Sequence, residues 1–202
     1  MSHAKFFAKT KLIFFVTGNV HKFNEARQVF AEYNIATAML NLAVVEIQDD
    51  DLENIAKASA IDAANKSKLP VLVEDAGLFI KSLNGFPGPY SSYVYRTLGT
   101  KGVLKLMDKE SRRDAYFLSV IAFFYSEQSE PTCFQGKAEG KITCEERGGK
   151  GFGFDPIFEP IDAKGKTFAE MTTEQKNKYS HRAQALRKFV SYYNNLHVQR
   201  RF

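Results

Sequence analysis

Residues 12–33 commit this chain to an α/β arrangement. Leu12-Ile13-Phe14-Phe15-Val16 is a short, continuous apolar run rich in β-formers, which predicts a buried strand. Thr17-Gly18-Asn19 breaks the run. Val20 to Tyr33 follows with Phe23, Ala26, Val29 and Phe30 on one helical face, and Asn34 ends it. A strand feeding a glycine turn and then an amphipathic helix is the opening of a βα unit.

The pattern continues downstream. Ile35 to Glu46 alternates loosely and reads as a second strand. Asp49-Asp50-Asp51 reads as a helix start, because acidic side chains suit the positive end of the helix dipole. That helix runs to about Lys68 on Leu52, Ile55, Ala56, Ser59, Ala60 and Ala63, and Pro70 stops it. Val71-Leu72-Val73 is a further buried strand ending in Glu74-Asp75-Ala76-Gly77, with Leu78 to Leu83 as a short continuation. Asn84 to Pro89 is a rigid turn. Residues 91–98 and 101–109 read as helical pieces split by Gly99. Ala115 to Tyr125 and Thr132 to Glu145 read as a long antiparallel pair turning around Glu127 to Pro131. The last helix is expected from about Thr173 to Asn195, opened by Thr172-Thr173-Glu174. Residues 1–10 read as a loosely held lead-in. With no repeat and no linker, residues 1–202 are expected to form one domain, a mixed β-sheet flanked by helices.

Composition narrows the partners. The net charge of +5 leans towards an anion and does not separate a nucleotide from a nucleic acid. Two cysteines, Cys133 and Cys144, are too few for a disulfide framework. Lys5, Lys9 and Lys11 interrupt any signal-peptide pattern, and the Leu12 to Val16 run is too short to span a membrane. A reduced, cytoplasmic, soluble protein without a membrane partner is expected.

Four segments carry candidate chemistry. In Thr17-Gly18-Asn19-Val20-His21-Lys22, amides at a helix start and the Lys22 charge form an anion site. The same segment also reads as an ordinary N-cap with Lys22 in solvent. Glu74-Asp75 lies at a strand end, where ligands of open α/β sheets collect. Adjacent carboxylates there suit Mg²⁺ or a general base, and strand alternation admits one of the two to the site. They equally cap a turn. Gly151-Phe152-Gly153-Phe154-Asp155-Pro156-Ile157-Phe158 spends two glycines and three phenylalanines in eight residues. Glycine permits close backbone approach, an aromatic face stacks on a nucleobase, and Asp155 supplies a fixed acceptor. The plainer reading is a kinked loop tucking Phe into the core. Ser180-His181-Arg182 sits within the expected last helix, with Lys176 one turn earlier on the same face. His181 and Arg182 are planar donors for carbonyl oxygens, or part of a solvated basic face. Together the segments supply what a nucleoside triphosphate, Mg²⁺ and an attacking water require.

The order and wording of these motifs resemble the inosine triphosphate pyrophosphatase family, whose members hydrolyse ITP, dITP and XTP to the monophosphate and pyrophosphate. The matching stretches are Thr17-Gly18-Asn19 with Lys22, Glu74-Asp75-Ala76-Gly77-Leu78, Phe86-Pro87-Gly88-Pro89-Tyr90-Ser91, Gly151 to Phe158, and Ser180-His181-Arg182. They span roughly residues 11–190. The resemblance implies an elongated mixed α/β fold of two lobes with a central cleft, a homodimer, and a Mg²⁺ requirement. It implies that Thr17, Gly18, Asn19 and Lys22 bind the triphosphate and that Asp75 is the general base. Asp75 and Glu46 are implied as metal ligands, with Glu74 as an alternative. Ala76, Phe152, Gly153, Phe154, Asp155, Lys176, His181 and Arg182 fall on substrate-binding positions. Ala76 departs from the usual Ser or Thr, which removes a hydroxyl contact and keeps a backbone N–H. A purine nucleoside triphosphate is thus the expected partner, and no stable nucleic-acid partner is expected. Two alternatives are the related Maf-like nucleotide pyrophosphatases and a non-catalytic nucleotide- or RNA-binding protein. The His181-Arg182 pair and the Gly151 to Phe158 segment argue against the first. The second predicts steep salt dependence, and Glu46, Glu74 and Asp75 would repel a phosphate backbone.

Overall fold

The computed structural model describes residues 12–125 and 129–199, with side chains to residue 196. The expected lead-in at 1–10, and residues 126–128 at the turn between the two long strands, lie outside the described residues.

The elements are β1 (Leu12–Val16), α1 (Val20–Ala31), β2 (Ala36–Leu40), α2 (Leu52–Ser67), β3 (Val71–Ile80), β4 (Pro87–Gly88), α3 (Ser91–Thr97), α4 (Gly99–Leu106), β5 (Asp114–Phe124), β6 (Thr132–Ile142), β7 (Phe158–Pro160), α5 (Thr173–Lys176) and α6 (His181–Gln199). The sheet runs β2-β1-β3-β5-β6-β7, with β4 also paired to β3. β1 is parallel to both β2 and β3, and the remaining pairings are antiparallel. This is the expected mixed sheet flanked by helices.

Strand alternation sorts the core. In β3 and β5, Leu72, Ile121 and Phe123 point to one face and pack with Phe30 of α1 and Phe189 of α6. Val71, Val73, Val120 and Ala122 point to the other and pack with Leu52, Ile55, Ala56, Ala60 and Ala63 of α2. A third apolar group gathers at the far end of the sheet, where Leu78, Ile80, Phe117 and Ile142 meet Val103, Met107, Phe158 and Phe168. Full burial of each Phe side chain contributes on the order of 2 kcal/mol.

Three expectations are corrected. β3 is one unbroken ten-residue strand, because β5 pairs with it from Val71 to Ile80. β2 stops at Leu40, so Glu46 sits in an irregular loop and not at a strand end. The last helix is two: Thr172 caps α5 in a capping box with Gln175, and Ser180 restarts the chain by accepting the Ala183 N–H at 3.1 Å. His181 and Arg182 therefore open α6 and do not lie inside a continuous helix. Cys133 and Cys144 are both free thiols, Cys133 within β6 and Cys144 past its end. Among the described residues, no helix is long and apolar enough to cross a membrane.

Candidate active site

The parallel register builds the centre of the site. Val16 pairs with Val73, so β1 ends there and Thr17-Gly18 leaves the sheet beside Glu74-Asp75, which lie in the middle of β3 and not, as expected, at a strand end. They open onto a cavity of about 1040 Å³. Thr17, Gly18, Asn19, Lys22, Glu46, Glu74, Asp75, Ala76, Phe152, Gly153, Phe154, Asp155, Lys176, His181 and Arg182 all line it. Every expected site residue thus meets in one hollow.

The turn after β1 is tied down by its own side chains. Thr17 Oγ1 accepts the Asn19 N–H at 3.0 Å, and Asn19 Oδ1 accepts those of His21 and Lys22 at 2.9 and 3.1 Å. Asn19 is a helix N-cap, so the plainer reading holds for those three amides. The amides of Gly18 and Val20 and the Lys22 ammonium remain as the donors of this turn. Lys22 Nζ lies 3.4 Å from Glu74 Oε2, a charge held at the cavity wall.

The adjacent carboxylates have opposite fates. Glu74 is buried, accepts the Ser119 hydroxyl at 2.8 Å and pairs with Arg182 Nε at 2.9 Å. Burial opposes its charge, but Arg182 and Lys22 overcome this and hold the carboxyl well below the usual range. Asp75 has no such partner. Burial first, then the charges of Glu74 and Glu46, against the pull of Lys22, push its pKa up to about 6. Its Oδ1 accepts the Ala76 N–H at 3.0 Å. That amide, expected to be available to phosphate, is therefore engaged by Asp75.

A buried ion network braces the opposite wall. Lys176 Nζ donates to Asp155 Oδ2 at 2.6 Å and to Glu25 Oε1 at 2.7 Å. Arg182 Nη1 pairs with the other oxygen of Glu25. Asp155 Oδ2 also accepts the Phe152 N–H at 2.9 Å, which fixes the glycine-rich loop. Gly151, at φ 75°, permits this: a Cβ there would stand 2.1 Å from Asp155 Oδ2. Glu25 was missed in the sequence. Its one signal was a carboxylate beside the apolar stripe of α1, between Phe23 and Ala26.

The aromatic walls differ. Phe154 is 3% exposed and belongs to the core, with Tyr95 edge-on at 5.5 Å. Phe152 is half-buried, stacked on His21 at 5.2 Å, with the Lys176 ammonium 4.9 Å from its ring centre. The His181 ring is buried and stacked on Phe117 at 4.6 Å, and its Nδ1 has no hydrogen-bond partner among the described residues. Burial first, then Arg182, push this imidazole well below its ordinary pKa, so it is neutral. Gly136 lets β6 come this close to α6, since a Cβ there would sit 2.0 Å from the His181 carbonyl oxygen.

The sequence model of the Ham1 family matches residues 13–192. The chain belongs to the Ham1 family. A dITP/XTP pyrophosphatase from Methanopyrus kandleri is 46% identical over 183 residues, 91% of this chain and 96% of that one. One of the same description from Thermococcus kodakarensis is 47% identical over 178 residues, 88% and 95% of the two chains. The HAM1 protein of Coxiella burnetii superposes with a TM-score of 0.80 at 30% identity, covering 91% of this chain and 98% of that one. The Staphylococcus aureus Ham1 protein gives 0.77 at 26% identity, with coverage of 91% and 98%. The mixed sheet and its flanking helices are thus those of a Ham1 chain.

Proposed function

We propose that this Ham1 chain is a nucleoside-triphosphate pyrophosphohydrolase that converts ITP, dITP and XTP to the monophosphate and pyrophosphate, clearing deaminated purines from the nucleotide pool. The observation that carries the reading is the single cavity into which all five motif segments open. The relatives named dITP/XTP pyrophosphatase support it over nearly their full length.

The donor set fits Mg²⁺. Glu46 and Asp75 line one cavity, and the charge of Glu46 is among the causes that raise Asp75. A divalent cation relieves that repulsion. Among the described residues, no three His, Cys, Asp or Glu side chains gather to hold a metal alone. Mg²⁺ needs only one or two protein carboxylates, because phosphate oxygens and waters would supply its other ligands. Glu46 and Asp75 would hold it, while Glu74 is occupied by Arg182, Ser119 and Lys22. Bound there, the ion would supply charge neutralisation on the triphosphate.

The chain's own residues account for the rest. Lys22 and the amides of Gly18 and Val20 receive the phosphate oxygens. Ionised Asp75 takes a proton from the water that attacks the α-phosphorus, and the bond to the β-phosphate oxygen breaks to release pyrophosphate. Phe152 and Phe154 wall the purine. Neutral His181, with Arg182 and the third donor of Lys176, reads the 6-keto oxygen. Adenine presents a 6-amino donor instead and leaves those donors unpaired, at a cost of about 1–3 kcal/mol, roughly tenfold to over a hundredfold in selectivity. A homodimer in the cytoplasm completes the reading.

Pyrophosphate release from ITP, XTP, GTP and ATP, with and without Mg²⁺, tests it. Fast, Mg²⁺-dependent release from ITP and XTP is expected. Equal rates on ATP, or no release from any triphosphate, would reject it.

A further inference from the structure

The loop that carries Glu46 is shaped by a helix behind it. Residues 41–50, between β2 and α2, have no regular secondary structure, and among the described residues they make no backbone-to-backbone hydrogen bond. Three side chains of α2 hold their backbone instead. Ser59 Oγ donates to the Val45 carbonyl oxygen at 3.0 Å. Asp62 Oδ2 accepts the Val45 N–H at 2.9 Å. Lys66 Nζ donates to the Ala43 carbonyl oxygen at 2.7 Å and to Asp62 Oδ2 at 2.7 Å. Positions 59, 62 and 66 are three and four residues apart, so they form one stripe on the helix.

Both polar groups of the Val45 backbone are thereby anchored. The Val45 carbonyl belongs to the peptide plane that leads into Glu46, so fixing it sets the direction in which Glu46 departs from the loop. We propose that Asp62, Ser59 and Lys66 are positioning residues for Glu46, acting through the loop backbone to keep its carboxylate opposite Asp75. This rests on the reading of Glu46 and Asp75 as ligands of a divalent cation. An exposed Asp–Lys pair at i,i+4 adds only about 0.3–0.5 kcal/mol to a helix, so its loss should hardly move stability. Its effect should appear in cation affinity, where groups that orient metal ligands matter about tenfold or more.

The test is Mn²⁺ titration of the full, nucleotide-free chain, read by electron paramagnetic resonance, alongside thermal unfolding. Asp62→Leu should weaken Mn²⁺ binding about tenfold with little change in melting temperature. Asp62→Asn, whose amide oxygen still accepts from Val45, should stay within about threefold of the parent. Lys66→Met should weaken binding by an intermediate factor, and it serves should Asp62→Leu not fold. Glu46→Gln is the control for the site itself. Parent-like Mn²⁺ affinity in both Asp62→Leu and Lys66→Met, with weakened binding in Glu46→Gln, would overturn the positioning role and leave the cation site standing. Parent-like affinity in Glu46→Gln would overturn the site reading, and the positioning role with it.

Discussion

Glu74 and Arg182 form a buried ion pair at 2.9 Å that joins the central strand β3 to the first turn of α6. The pair ties the Asp75 side of the cavity to its His181 side. Arg182 also pairs with Glu25, so it separates two buried carboxylates. Arg182→Ala would leave both without it. Breaking a buried pair costs about 3–5 kcal/mol, and for a chain of this size the melting temperature should fall by about 10 °C. Unchanged thermal unfolding would show that the network is not integral to the fold.

Asp75 should set the acid limb of the rate profile. Its raised carboxyl, at about 6, must be ionised to accept a proton. The kcat/KM value should therefore fall as pH drops through about 6, and Asp75→Asn should lose at least a hundredfold in turnover. A flat profile from pH 5 to 8 would remove Asp75 from the base role.

The same shift has a consequence for stability. Folding raises this carboxyl above its unfolded value of 3.8, so its favourable contribution is complete only below that pH. It is lost as pH rises through about 6, and ionised Asp75 then strains the fold by up to about 3 kcal/mol. Asp75→Asn should be more stable than the parent at pH 8, and the gap should close towards pH 4. Chemical denaturation at the two pH values checks this, and a gap of constant size would contradict it.

His181 should govern selectivity more than rate. Its ring is neutral and packed on Phe117, and its Nδ1 has no hydrogen-bond partner among the described residues. His181→Phe keeps the stacking shape and removes the donor. The ITP-to-ATP ratio of kcat/KM should narrow by roughly tenfold or more. A ratio equal to the parent's would move base recognition elsewhere.

Two glycines of the aromatic loop should respond differently. Gly151 and Gly153 both have positive φ, 75° and 62°, so alanine strains either by about 1–2 kcal/mol. A Cβ at Gly153 meets open space, whereas one at Gly151 meets Asp155. Gly151→Ala should therefore be the less stable variant and should raise KM for ITP several-fold. Equal unfolding midpoints would refute the bracing role of Asp155.

The core of most strands, the starts of α1 and α2, and the motif residues were legible because each is written locally. A five-residue apolar run, an Asp51 cap and a glycine between phenylalanines mean the same thing wherever the rest of the chain goes. The antiparallel pairing of β5 and β6 was legible, but the pairing of distant charged side chains was not. Glu74 and Asp75 look alike in sequence, and only Arg182, 107 or more residues downstream, makes one a fixed anion and leaves the other with a raised pKa. Glu25 acquires its meaning from Lys176 and Arg182 in the same way. The Glu46 loop passed for strand because its alternation mimics one, while its real partners are side chains of α2.

Hydrolysis of ITP in ¹⁸O-labelled water tests the central claim most directly. Attack by an Asp75-activated water on the α-phosphorus places the label in IMP and leaves the pyrophosphate unlabelled. Label in the pyrophosphate would put the attack on the β-phosphorus and contradict the account.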